Sequence, residues 1–222
     1  MVTAIIVAAG KSSRMGSGVD KAFLSLVNKP VVAWSLLAFE RCADIDRIVL
    51  VVRKDQQVAA KAVAKMFGIS KLFKIVPGGN RRQESVAAGL AACDIDTRTV
   101  VIHDGARPMV SSEVIGDVVK LAVRGGAATV GRKMVDTVKR VEKGVTVVET
   151  VDRDKLWQVQ TPQAFQMKVL RDALKNLGDR EVTDECMAVE LAGGTVKITE
   201  SLKPNFKITT PEDIQLVSKL LS

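Results

Sequence analysis

Ile6-Val7-Ala8-Ala9-Gly10-Lys11-Ser12-Ser13-Arg14-Met15-Gly16 runs a β-branched strand into two small residues and a glycine, with a basic loop behind them and Lys21 a little further on. Small side chains let backbone N–H groups come close to a ligand, and consecutive N–H groups form an anion-binding nest. Lys11, Arg14 and Lys21 then supply positive charge for phosphates. The loop is not a Walker A motif, because G-x-x-x-x-G-K-[ST] is absent. It is not a dinucleotide fingerprint either, because G-x-G-x-x-G is absent. Taken singly, it is equally an ordinary strand-to-helix turn with solvated cations.

Working outward, short β-branched runs at residues 3–7, 48–52, 72–76 and 100–103 read as buried strands. Helical patterns lie between them at 30–40, 55–67 and 81–92. Pro30 suits a first helical turn, and Gly68 suits a helix C-terminus. This alternation predicts an α/β chain: a Rossmann-like, mostly parallel sheet with helices on both faces. Ligands of such sheets sit beyond the carboxyl ends of the strands, near a topological switch point.

Two more loops fall at predicted strand ends. In Pro77-Gly78-Gly79-Asn80-Arg81-Arg82-Gln83-Glu84-Ser85, the two glycines allow a backbone contact to a base edge, and Ser85 lies just inside the next helix. In His103-Asp104-Gly105-Ala106-Arg107-Pro108, Asp104 is placed to hold Mg²⁺ or to orient a hydroxyl. Arg107 offers a bidentate fork to phosphate. His103 reads as structural. Each loop alone is compatible with a capped turn and surface charge; three charged small-residue loops at strand ends are harder to dismiss together.

The pattern changes after residue 133. Segments 134–141 and 145–151, split by Glu142-Lys143-Gly144, predict a polar alternating hairpin with Gly144 at positive φ. Nothing local covers it, so residues 132–153 read as an arm extending from a single domain of residues 1–222. Asp136-Thr137 is placed in its first strand. Further helices are expected at 167–177 and 184–192, and a strand at 195–199. A last helix should begin at Thr210-Pro211-Glu212-Asp213, with an N-cap threonine, proline at N1 and acids in the first turn.

Composition narrows the function. The chain has 222 residues, 33 Lys plus Arg against 25 Asp plus Glu, and a net charge of +8. One histidine excludes a multi-histidine metal site. Three scattered cysteines point to no disulfide framework and to a reducing compartment, so the expected location is cytoplasmic. The longest apolar runs, such as residues 4–9, are far short of the about 20 residues that cross a bilayer, and no membrane partner is expected. Aromatics are 4% with no tyrosine, which leaves few stacking platforms for nucleic acid. Dispersed cations without a nucleic-acid motif point the same way. Small phosphorylated substrates remain.

The ordered set of motifs is similar to the 2-C-methyl-D-erythritol 4-phosphate cytidylyltransferase family across essentially the whole chain. The motifs are Ala8-Ala9-Gly10, Arg14-Met15, Lys21, Gly78-Gly79, Ser85, His103–Pro108, Asp136-Thr137, Thr150–Arg153, Thr161-Pro162-Gln163, Thr183-Asp184-Glu185 and Lys207–Asp213. The resemblance implies transfer of a cytidylyl group from CTP to methylerythritol phosphate with release of pyrophosphate. Mg²⁺ would be held largely by the CTP phosphates, with Asp104 a candidate ligand. Arg14 and Lys21 would stabilise the transition state. Ala8, Ala9, Gly10, Lys11, Gly78, Gly79, Ser85 and Ala106 would hold CTP. Arg153 and Lys207 would position the acceptor phosphate, and Asp104, Arg107, Thr137, Thr161 and Thr183 would line the acceptor site. The resemblance also implies a homodimer whose arms exchange, with Thr137 and Arg153 serving the partner's site. Ser12 stands where many members of the family have glycine.

The rival readings are a ribitol 5-phosphate cytidylyltransferase and a sugar 1-phosphate nucleotidyltransferase. The latter would carry a second metal-binding aspartate, for which the sequence offers no obvious candidate. Outside enzymes, the rival is a CTP-binding sensor that has lost catalysis.

Overall fold

A computed structural model describes residues 1–10, 20–178 and 180–222. In chain order the strands are β1 (Val2–Ala8), β2 (Ser25–Leu26), β3 (Lys29–Pro30), β4 (Arg47–Val52), β5 (Leu72–Pro77), β6 (Thr99–Asp104), β7 (Ala127–Lys133), β8 (Val138–Glu142), β9 (Thr146–Val151), β10 (Trp157–Gln166) and β11 (Lys197–Glu200). The α-helices are α1 (Val31–Arg41), α2 (Gln57–Met66), α3 (Arg82–Ala92), α4 (Ser112–Gly125), α5 (Met167–Leu177), α6 (Glu185–Leu191) and α7 (Pro211–Leu221).

Seven strands form one sheet in the order β11-β7-β10-β6-β1-β4-β5. β1 pairs in parallel with both β4 and β6, and β4 with β5. β10 is the exception, antiparallel to β6 and β7. The chain proceeds from β1 outward to β4 and β5, then returns to place β6 on the other side of β1. The carboxyl ends of β1 and β6 therefore flank a topological switch point, where diverging connections leave a crevice.

Side-chain alternation along β1 divides the core. Ala4, Ile6 and Ala8 face one side with Leu36, Phe39 and Ile115; Ile5 and Ala9 face the other with Val86, Phe165 and Leu170. Successive strand residues point to opposite faces, so the run that looked uniformly apolar in sequence is buried on both sides. A third cluster of Leu26, Val31, Ile208 and Val217 seats α7 beside the chain that follows β1. No helix among the described residues is long and apolar enough to cross a membrane. Cys42, Cys93 and Cys186 are free thiols.

The four predicted strands lie within β1, β4, β5 and β6. Several expectations need correction. Pro30 occupies the N-cap of α1 with extended backbone, not its first turn. Residues 54–56 form a separate 3-10 turn ahead of α2. β11 lies later than expected, at Lys197–Glu200. β8 begins at Val138, so Asp136-Thr137 precedes the first arm strand instead of lying in it. The hairpin itself forms, with Lys143 at φ 48° and Gly144 at φ 85°, the two positive angles of a type I′ turn. Among the described residues, β8 and β9 pair only with each other, apart from the main sheet.

α4, β7 and β10 were not read from the sequence. α4 buries Ile115, Val118, Val119 and Ala122, a clear helical stripe. β10 carries Pro162, which argues against an internal strand. Its ladder with β7 shifts register between Gln160 and Gln163, and that irregularity accommodates the proline.

Candidate active site

Three loops meet at the switch point. β1 delivers Ala8, Ala9 and Gly10. The loop after β5 lies against them: a Cβ on Gly78 would fall 2.4 Å from the Ala9 Cβ and 2.7 Å from Ser85 Oγ. That approach allows only glycine. The N–H of Gly79 donates to Ser85 Oγ at 3.2 Å, and the N–H of Asn80 donates to Glu84 Oε2 at 2.8 Å. The loop is thus braced by the helix it feeds. After β6, the N–H of Gly105 donates to the Val7 carbonyl at 2.8 Å, which joins the first and third loops.

Two adjoining cavities result. The first, about 210 Å³, is lined by Ala8, Ala9, Gly10, Lys21, Gly79, Ser85, Asp104, Ala106 and Lys207 among others. The second, about 290 Å³, is lined by Arg107, Thr161 and Thr183 together with Gln160, Gln163 and Asp184. Arg82, Asp104 and Lys207 line both, so these three form the partition. A wider depression of about 580 Å³ beside Arg98 and Arg171 shares no residue with either cavity. It lies by the start of β6, away from the strand carboxyl ends where such sheets bind ligands.

Asp104 is the electrostatic centre. Lys207 Nζ lies 2.7 Å from its Oδ2, Arg82 Nε 3.3 Å from Oδ1, and Arg107 Nε 3.8 Å from Oδ2. Burial alone would raise its pKa, but Lys207 and Arg82, with help from Arg107, hold the carboxyl well below the usual range. Burial depresses the Arg107 guanidinium, partly offset by Asp104. The surplus of cations leaves the partition positive, suited to phosphate.

Each cation has an identifiable support. Asp20 caps the short turn that carries Lys21, accepting from the N–H of Ala22 at 3.1 Å. Lys207 is placed by its neighbour Ile208, whose N–H donates to the Ala106 carbonyl at 2.8 Å. Arg107 Nη1 donates to the Asn205 carbonyl at 2.8 Å, and the buried Asn205 side chain donates to the Thr161 carbonyl at 2.9 Å. The third loop, β10 and the segment before α7 are thereby tied together.

His103 is fully buried and takes no part in the cavities. Thr161 Oγ1 accepts from the N–H of Asp104 at 3.0 Å and lies 3.1 Å from His103 Nδ1; His103 Nε2 lies 3.3 Å from the Arg107 carbonyl. A carbonyl only accepts, so Nε2 carries the proton and Nδ1 accepts from the threonine. Burial pushes the imidazole pKa down to about 3, so the ring is neutral.

The two cavities bring together Ala8, Ala9, Gly10, Lys21, Gly79, Ser85, Asp104, Ala106, Arg107, Thr161, Thr183 and Lys207. Gly78 stands behind the first, facing a shallower groove with Asn80 and Arg53. Lys11 and Arg14, with Ser12, lie outside the described residues. Thr137 and Arg153 are exposed on the arm and line neither cavity of their own chain; Arg153 Nη1 donates to the Val135 carbonyl. Sequence reasoning missed Arg82 on the partition and Gln160, Gln163, Asp184 and Asn205 around the second cavity. Arg82, Gln163 and Asp184 lie inside the motifs quoted above and Gln160 and Asn205 just outside them, and nothing local marks these side chains as belonging to the site.

Metal ligation has little support from the protein alone. No group of three His, Cys, Asp or Glu residues among those described is arranged to hold an ion. Both oxygens of Asp104, the candidate ligand, are engaged by cations. The described residues do not build a resident metal cage.

A switch-point crevice with small-residue loops, and a cationic partition shared by two pockets, defines a nucleotidyltransferase. The family model described as 2-C-methyl-D-erythritol 4-phosphate cytidylyltransferase matches residues 2–222. The relative of that name from Alkaliphilus metalliredigens is 40% identical, with 100% of this chain and 93% of the relative covered. The one from Desulforamulus reducens is 41% identical over 99% of this chain and 95% of its own. The crystal structure of 4-diphosphocytidyl-2C-methyl-D-erythritol synthase from Anaerococcus prevotii superposes with a TM-score of 0.90 at 30% identity, covering 100% of this chain and 96% of that one. The chain belongs to the 2-C-methyl-D-erythritol 4-phosphate cytidylyltransferase family.

Proposed function

We propose that this chain transfers the cytidylyl group of CTP to the phosphate of 2-C-methyl-D-erythritol 4-phosphate, releasing pyrophosphate, in the non-mevalonate route to isoprenoid precursors. The observation that carries the reading is the partition: Arg82, Asp104 and Lys207 face both cavities. A bond between two bound substrates must form at such a boundary.

CTP occupies the first cavity. Ala8, Ala9 and Gly10 receive its phosphates and ribose, Gly79 and Ser85 face the base with Gly78 packed behind them, and Ala106 closes the floor. Lys21, with Lys11 and Arg14, meets the triphosphate. The acceptor occupies the second cavity, its polyol against Asp104, Arg107, Thr161 and Thr183 and its phosphate on Lys207. A phosphate oxygen attacks the α-phosphorus, the bond to the β-phosphate bridging oxygen breaks, and pyrophosphate leaves. The nucleophile is already ionised, so no general base is needed, in keeping with a buried neutral His103. The main obstacle is anion repulsion, about 4 kcal/mol for two unit charges 4 Å apart at an effective dielectric of 20. Fixed cations lower it and orient the in-line approach. Magnesium, if bound to the triphosphate, would neutralise part of the phosphate charge that Lys21 and Lys207 meet.

The active unit is a homodimer with exchanged arms. Val141, Val147 and Val148 are exposed on the hairpin, apolar surface that a second copy would cover. Arg153 and Thr137 then reach the partner's acceptor cavity.

The test is pyrophosphate release from CTP and magnesium with methylerythritol 4-phosphate, run beside ribitol 5-phosphate. Rapid release with the first and little with the second is expected. Preference for ribitol phosphate would overturn the acceptor assignment. Binding of CTP without turnover of either would favour the sensor.

A further inference from the structure

Glu185 opens α6 and is 1% exposed, yet its carboxylate faces neither cavity. Both of its oxygens lie 2.7 Å from Arg82 Nη1. The same guanidinium reaches the other way, donating from Nε to Asp104 Oδ1 at 3.3 Å, while Asp104 Oδ2 holds Lys207 Nζ at 2.7 Å. Four charged groups from four separate segments form one row, ending at the ammonium that faces both cavities. A carboxylate this buried needs a partner. A buried ion pair nonetheless adds little net stability over apolar side chains of the same size. Stability alone therefore leaves the pair without a rationale, and its position supplies one.

Lys207 is held in the row by one contact through a flexible stem, and its side chain is 38% exposed. Arg82 is held at both ends by a rigid fork, and its side chain is 28% exposed. When an acceptor phosphate draws Lys207 off Asp104, Arg82 is the cation left to keep that carboxylate in place. We infer that Glu185 is a positioning residue for the transfer reaction: it anchors the Arg82 guanidinium across the partition, so that Asp104 stays oriented toward the acceptor while Lys207 engages phosphate. This rests on the functional reading above and extends it to a residue outside the cavities.

Turnover of the wild-type dimer is measured first; its failure with methylerythritol phosphate overturns the functional reading and this inference with it. Given turnover, Glu185→Gln keeps the shape and removes the charge. It is expected to lower kcat/KM for the acceptor about tenfold or more, the usual weight of a hydrogen bond to a charged group, while KM for CTP and the melting temperature change little. Glu185→Asp, which keeps the charge, should recover part of the loss. In an Arg82→Met background, adding Glu185→Gln should cost nothing further, because its action runs through Arg82. Wild-type kinetics in Glu185→Gln, an equal loss in the Arg82→Met background, or a loss in melting temperature alone would each overturn the positioning role. Should Arg82→Met not fold, the contrast between Glu185→Gln and Glu185→Asp decides.

Discussion

Gly78 shows how little freedom a single position has at this site. Any Cβ there overlaps Ala9, which follows β1, and Ser85, in the first turns of α3, and both residues line the first cavity. Overpacking of this kind costs about 1–3 kcal/mol. Gly78→Ala should therefore fold but raise KM for CTP by about tenfold, leaving KM for the acceptor nearly unchanged; steady-state kinetics with each substrate varied would check the split. The requirement for two glycines was legible in the sequence. That the pressure comes from Ala9 was not, because the two positions are joined only by the pairing of β1, β4 and β5.

At the scale of elements, the arm is the feature to test. Thr137 and Arg153 lie on or beside the hairpin and line neither of the two adjoining cavities, whereas Lys21 lines the first. Lys21→Ala and Arg153→Ala homodimers should each be nearly inactive, since every active site then carries one lesion. Mixed subunits of the two variants make heterodimers with one intact site. A random mixture should regain about a quarter of wild-type turnover in a two-fold symmetric dimer. No recovery in heterodimers verified by mass would show that the arms are not shared. The hairpin was legible because Lys143-Gly144 is a turn signal with alternating residues on either side. β10 was not, because Pro162 reads locally as a strand breaker and only pairing with β6 and β7 overrides it.

For the whole molecule, the charge row and the buried histidine set the response to acid. His103 has its pKa pushed down to about 3, against about 6.5 in an unfolded chain. Between those values the unfolded chain binds a proton that the folded one does not. The contribution is complete above about pH 6.5 and falls away toward pH 3, on the order of a few kcal/mol in total. Asp104, held low, contributes above its unfolded value of about 3.9 and loses that only at lower pH. Glu185 and Asp20, pushed up by burial, act in the opposite sense. His103→Asn keeps those groups and removes the imidazole. It should be less stable than wild type at pH 7 and show a flatter slope of stability against pH between 6.5 and 4.5 in urea titrations. Parallel slopes would mean that the ring titrates within the folded protein.

By itself the sequence determined the alternation of strands and helices, the three small-residue loops at strand ends, the hairpin and the anionic character of the ligand. These are local properties: β-branched runs, glycine conformations and charge repeat their meaning wherever they occur. Tertiary structure alone decided that β6 returns beside β1 to open the crevice, that β10 enters antiparallel between β6 and β7, and that Arg82 and Glu185, 103 residues apart, share one buried contact. Strand order is set by which apolar faces can be covered together, and a guanidinium's partner by which segments that packing brings within 3 Å. Neither is written in the neighbours of a residue along the chain.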